Sequence, residues 1–69
     1  MTKFGKNPAD VAIGKRVLLL RMKRGMQLKE LGLRTGIHHW KLAEYEKGSE
    51  HIGAANLQMI AEALKVTYT

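Results

Sequence analysis

Residues 28–47 read LKELGLRTGIHHWKLAEYEK, and the spacing inside this stretch decides the fold. Leu31 lies inside one short segment of helix formers, Gly36 interrupts it, and Leu42 and Tyr45 then recur at helical spacing. The pattern predicts a short helix from Gln27 or Leu28 to Thr35, a tight turn through Gly36 and Ile37, and a second helix over His39–Lys47 with His38 as its N-cap. Two helices crossing steeply through a turn of three or four residues make strict demands on side-chain size. Where the second helix passes over the first, the residue must be small, and Gly32 stands there. The turn itself needs positive φ, which Gly36 takes without steric cost. Four positions must be apolar to hold the crossing angle, and Leu31, Ile37, Leu42 and Tyr45 fill them. Thr35 is tolerable before the turn but is the weakest match. One such match means little; the joint pattern is specific.

Working outward, Ile13, Val17 and Leu20 recur as a helical stripe on the N-terminal side, and Asp10 is the predicted N-cap of that helix. Arg21, Lys23 and Arg24 suit the negative end of its dipole, and Gly25 supplies a left-handed stop. On the C-terminal side Gly48 ends the second helix of the pair in the same way. After a polar loop, Gly53 or Ala54 opens a fourth helix with Leu57, Ile60, Ala61 and Leu64 facing inward and Val66 packing beyond it. Met22, Met26 and Met59 read as core filler. Leu18 and Leu19 lie off the main stripe and imply either a broad core contact or a subunit interface. No stretch reads as a strand. The expected architecture is all-α, a compact bundle of four to five helices around the central pair, with residues 1–9 as a flexible basic arm and residues 10–69 as the domain.

At 69 residues the chain makes one domain with an economical core. It has no cysteine, which excludes disulfides and thiolate metal sites. The longest apolar run, Val17–Leu20, is too short for a membrane span or a secretory leader, so a reduced cytoplasmic setting is expected. The formal charge of +6 is unevenly spread: residues 1–24 carry seven cations against Asp10, whereas residues 25–69 balance five cations with five anions. A polyanionic partner is implied, with the basic excess in the first third. Neighbouring His38 and His39 would project about 100° apart on a helix, so a metal chelate would need His51 and a carboxylate to converge. With a single serine, Ser49, a single aspartate, Asp10, and no cysteine, no nucleophilic triad can be assembled. The glycines occur singly at helix ends, unlike a phosphate-binding loop. No enzyme activity, metal, cofactor or small-molecule ligand is expected.

The span from Ile13 to Val66, with GKRV at 14–17, Gly25, Leu31, Gly36-Ile37, YEKG at 45–48 and IAEAL at 60–64, resembles the Xre-type, lambda-repressor-like helix-turn-helix family over about four-fifths of the chain. That resemblance implies a regulator of bacterial or phage genes, most simply a repressor at the nucleoid, that binds double-stranded DNA as a homodimer. A fifth helix would begin near Thr67. In the family's docking mode the third helix enters the major groove with its N-terminal residues at base edges. The matching positions are His38, His39, Trp40, Lys41 and Glu44. Lys41 suits guanine O6/N7, Glu44 suits cytosine N4, and Trp40 suits a thymine methyl or a sugar. Phosphate contacts fall to Lys29 or Arg34 beside the second helix, to Lys47, Ser49 and His51 after the third, and to Lys3, Lys6, Lys15 and Arg16 near the front. The resemblance also assigns Arg21 and Glu46 to a partly buried structural ion pair beneath the third helix.

Two departures stand out. Leu28 replaces the phosphate-binding Gln that many relatives carry, and Trp40 and Glu44 are unusual on a reading face. A second reading therefore stays open: a protein-interaction module on the same fold (antitoxin, anti-repressor or polymerase-associated adaptor) with Leu18, Leu19, Leu28, Leu33 and Trp40 as its apolar surface.

Overall fold

A computed structural model describes residues 7–65, which form four helices: α1 (Pro8–Lys23), α2 (Leu28–Thr35), α3 (His39–Lys47) and α4 (Ala54–Leu64). No strand occurs among the described residues. α3 packs against α1 on one side and α2 on the other, while α4 closes the far side of α2 and touches α1.

The first helix starts earlier than its apolar stripe suggests. Asn7, not Asp10, is the N-cap: its side-chain oxygen accepts the Ala9 N–H at 2.8 Å, and Pro8 takes the first helical position, where a missing N–H costs nothing. Asn7–Ala9 thus belong to the helix rather than to an arm; the rest of that arm, with Lys3 and Lys6, lies outside the described residues. Asp10 instead sits in the first turn, where a negative charge suits the dipole.

Three of the four helices close as expected. Gly25, Gly36 and Gly48 all adopt positive φ. After α1 and α3 the closure is a paired one. Met26 N–H donates to the Arg21 carbonyl and Gly25 N–H to that of Met22; Ser49 N–H donates to the Glu44 carbonyl and Gly48 N–H to that of Tyr45. After α2 a single bond from Gly36 N–H to the Gly32 carbonyl, 2.8 Å, does the same work.

Val17, Met26, Leu31, Ile37, Leu42, Tyr45, Ile52, Ile60 and Leu64 form one core, with Ile13, Leu20, Leu28 and Leu57 packed against its edge. Met22 and Met59 are exposed, which corrects their reading as core filler; only Met26 is buried. Met22 follows Leu19 at i+3, on the flank that faces away from Val17. Leu19 is exposed and Leu18 half-buried, so the second apolar flank of α1 is not a core contact within the chain. Val66 and Thr67 lie outside the described residues.

Candidate nucleic-acid interface

The crossing of α2 and α3 is built as the residue sizes require. A Cβ on Gly32 would come within 2.9 Å of the Ile37 carbonyl oxygen and 3.4 Å of the His39 nitrogen, so only glycine lets α3 start this close to α2. Thr35, the weakest match in the sequence, turns out to lock the turn. Its buried hydroxyl donates to the Leu31 carbonyl at 2.8 Å and accepts the Ile37 N–H at 3.2 Å. Ile37 itself is buried beneath the turn.

The underside of α3 is fixed to α1 by two devices. Arg21 Nε donates to Glu46 Oε2 at 2.6 Å and Nη2 to Oε1 at 3.1 Å, while Nη1 donates to the Met26 carbonyl at 2.8 Å. With side-chain exposures of 13% and 7%, this bidentate pair has little access to DNA; its geometry is the scaffold that the resemblance implies. The second device is Gly14, buried on α1 with the carbonyl groups of Tyr45 and Glu46 lying directly against its Cα. Any Cβ there would overlap the Tyr45 carbonyl. The periodic reading of α1 gave no role to Gly14; a glycine inside an apolar stripe is the signal for a close helix crossing. Tyr45 is also held at its tip, where Asn56 Nδ2 donates to its hydroxyl at 2.9 Å.

The opposite edge of α3 is open. His38 caps the helix by accepting the Trp40 N–H on Nδ1 at 3.1 Å. His38 stands outside the helix, so the 100° step does not apply: its ring stacks on that of His39 with centroids 4.5 Å apart. Trp40 lies 5.2 Å from the first ring and 6.0 Å from the second, and is 74% exposed. Leu33 on α2 is 87% exposed and, with Lys29, Gly32, His38 and His39, borders a shallow cleft of about 480 Å³. Lys41 reaches Glu50 at 3.4 Å, and Glu44 pairs with Lys47 at 3.0 Å. The structure therefore brings His38, His39 and Trp40 into one cluster and turns Lys41 toward the loop after α3.

The described residues predicted to touch phosphate sort into two sets. Lys15, Arg16 and Lys29 are exposed and make no ion pair among the described residues. Arg34 pairs with Glu30 at 3.0 Å, Lys47 with Glu44, and His51 with Asp10 at 2.8 Å; the Ser49 hydroxyl donates to the Glu44 carbonyl at 3.4 Å. Surface ion pairs such as Arg34–Glu30 and Lys47–Glu44 contribute about 0–1 kcal/mol, weak enough to exchange. Leu28 is half-buried, packed against the core edge. No group of three metal-ligating side chains comes together, and no helix is long and apolar enough to cross a membrane, among the described residues.

Two short helices braced at a fixed angle, the second open along one edge, define a helix-turn-helix unit. Residues 17–69 match the family model described as Helix-turn-helix, and the chain belongs to that family. It is 40% identical over 60 residues to an uncharacterized HTH-type transcriptional regulator of Sinorhizobium medicae, covering 87% of this chain and 43% of that protein. A similar regulator of Rickettsia conorii is 36% identical over 55 residues, covering 80% and 44%. The chain thus spans less than half the length of the curated relatives it matches. Two solved structures share its fold at 23% identity. The restriction-modification controller protein C.AhdI from Aeromonas hydrophila has a TM-score of 0.85, covering 88% of this chain and 92% of its own. The clp gene regulator ClgR from C. glutamicum has one of 0.86, covering 96% and 85%.

Proposed function

We propose that this chain is a DNA-binding domain of a transcriptional regulator, most simply a repressor, that reads duplex DNA in the major groove with α3 and acts as a homodimer at the nucleoid. The observation that carries this reading is the asymmetry of α3. Leu42, Tyr45 and Glu46 fasten it from below, while His38, Trp40 and Lys41 are exposed near its start with His39 half-buried among them. A rigid helix with a free N-terminal edge, with Lys29 beside it and Lys15 and Arg16 exposed on α1, suits base edges in the groove and phosphates at its rim. His38, His39, Trp40, Lys41 and Glu44 supply the base contacts. Lys15, Arg16 and Lys29 supply the first phosphate contacts, with Lys3, Lys6, Arg34, Lys47, Ser49 and His51 available around them. The role is recognition rather than catalysis.

Selection of bound duplexes from a random pool tests the proposal. An enriched sequence, arranged as an inverted repeat with half-sites about one helical turn apart, is the expected result. Affinity for it should fall steeply with salt, because each neutralised phosphate releases counterions. The exposed Leu33 and Trp40 favour a second reading, docking of a protein on the same edge; a pool with no enriched sequence, and a partner contact insensitive to salt, would replace the first reading with that one.

A further inference from the structure

We infer that the reading edge recognises the 5-methyl groups of pyrimidines, thymine above all, by aromatic contact, and that Trp40 is the residue that sets this preference. The inference rests on the proposal that α3 reads DNA and names what it reads.

The argument begins with what each side chain on the edge still has to offer. Lys41 and Glu44 hold the groups that would discriminate bases by hydrogen bonding, and both are turned toward partners within the chain: Lys41 toward Glu50, Glu44 toward Lys47. These pairs are weak enough to exchange, yet they draw both heads toward the C-terminal end of α3 and the loop beyond, away from the end that carries Trp40. His38 has already committed Nδ1 to the Trp40 N–H, which fixes the tautomer and leaves Nε2–H as a lone donor. What remains along the N-terminal edge is mostly ring surface, with the ring nitrogens of His39 and the N–H groups of His38 and Trp40 at its margins.

That surface is large and mostly exposed. Trp40 is the second residue of α3, mostly exposed, and buttressed by two imidazoles that stack on one another. An indole has few rotatable bonds, so a ring already propped by neighbours loses little entropy on docking. Leu33 extends the apolar edge across the cleft onto α2. In the major groove the one bulky apolar feature a base presents is the C5-methyl of thymine, or its equivalent on 5-methylcytosine; apart from small C–H groups the other edge atoms are donors and acceptors. An indole face has nothing to exchange with those polar atoms and gains from covering a methyl. The chemistry of the edge therefore matches methyl groups better than it matches guanine or adenine.

The test uses the unaltered protein and the duplex enriched from the random pool. Replacing thymines one at a time with deoxyuridine removes only the methyl. At one or two positions per half-site this should weaken binding about fourfold, the value of one buried methyl group. At the same positions, 5-methylcytosine should bind about fourfold tighter than cytosine. Trp40→Ala should abolish both differences, whereas Lys23→Ala, an exposed change at the end of α1, should leave both intact; circular dichroism establishes that each variant is folded. Equal affinity for thymine and deoxyuridine at every position would overturn the inference while leaving DNA binding in place. Methyl discrimination that survives Trp40→Ala would overturn the assignment to Trp40. Failure of any sequence to enrich would overturn the DNA reading itself, and this inference with it.

Discussion

Helix α3 has two sides that share nine residues of backbone and little else. Below, every contact is over-determined: a bidentate ion pair, a carbonyl seated on a bare Cα, a tyrosine gripped at both ends. Above, His38, Trp40 and Lys41 are exposed, their neighbour His39 is half-buried, and the three rings touch one another. The difference teaches how a domain this small can present a rigid surface. Its core is too limited to hold α3 by apolar burial alone. Position is therefore reinforced by close backbone approach and a shielded charge pair, both intolerant of change, and the opposite side is left with little structural duty beyond the His38 cap. Substitutions on the two sides should differ in size and in kind.

The largest effect is expected at Arg21. Arg21→Ala would leave the Glu46 carboxylate nearly buried without its cation and the Met26 carbonyl without its donor, a loss of about 3–5 kcal/mol. Replacing both partners with apolar residues, Arg21→Met with Glu46→Leu, should recover most of that loss, since no buried charge then remains. Urea denaturation at constant slope measures both. A single variant that loses less than about 1 kcal/mol would show that the pair does not brace α3.

Gly14→Ala comes next. Its methyl would meet the Tyr45 carbonyl, and neither backbone can yield without shifting α1 against α3. Overpacking of this kind costs about 2–3 kcal/mol. The same substitution at Gly36 has a different cause and a smaller size. Nothing lies within 4 Å of a Cβ there, so the penalty of Gly36→Ala comes from φ of +76° alone, about 1–2 kcal/mol. Asn, which tolerates the left-handed region, should cost less at Gly36 and no less at Gly14. If the two glycines respond alike to Ala and Asn, the distinction between crowding and strain is misdrawn.

The same division explains what the sequence made legible. The bounds of α2 and α3, the turn at Gly36 and the inward set Leu31, Leu42 and Tyr45 were all readable, because glycine stops and apolar spacing are local signals. The start of α1 was misread in favour of Asp10 because both Asn7 and Asp10 are good caps; Pro8, directly after Asn7, was the deciding clue. Ile52 was missed as a core residue because a lone apolar side chain in a polar loop has no period to reveal it. Gly14 and the Asn56–Tyr45 bond were hidden for a deeper reason. Both depend on which helices come to lie side by side, and periodicity within one helix carries no information about its neighbour. On the open edge of α3, the identity of the residues was plain, whereas the stacking of His38 on His39 and the turning of Lys41 toward Glu50 needed coordinates.

The smallest expected effect is the sharpest test of the comparison. Trp40 is the largest side chain on α3, and in a core its loss would cost several kcal/mol. Here most of its surface faces solvent in the free domain, and its one structural bond uses the backbone N–H, which alanine keeps. The ring contacts to His38 and His39 are solvent-exposed and add little. Trp40→Ala should therefore change stability by no more than about 0.5 kcal/mol, a shift of roughly 3 °C or less in Tm. A drop of several times that size would mean that the indole braces the turn between α2 and α3. In that case the upper side of α3 would have a structural duty after all, and the separation of scaffold from reading edge would fail at its most exposed residue.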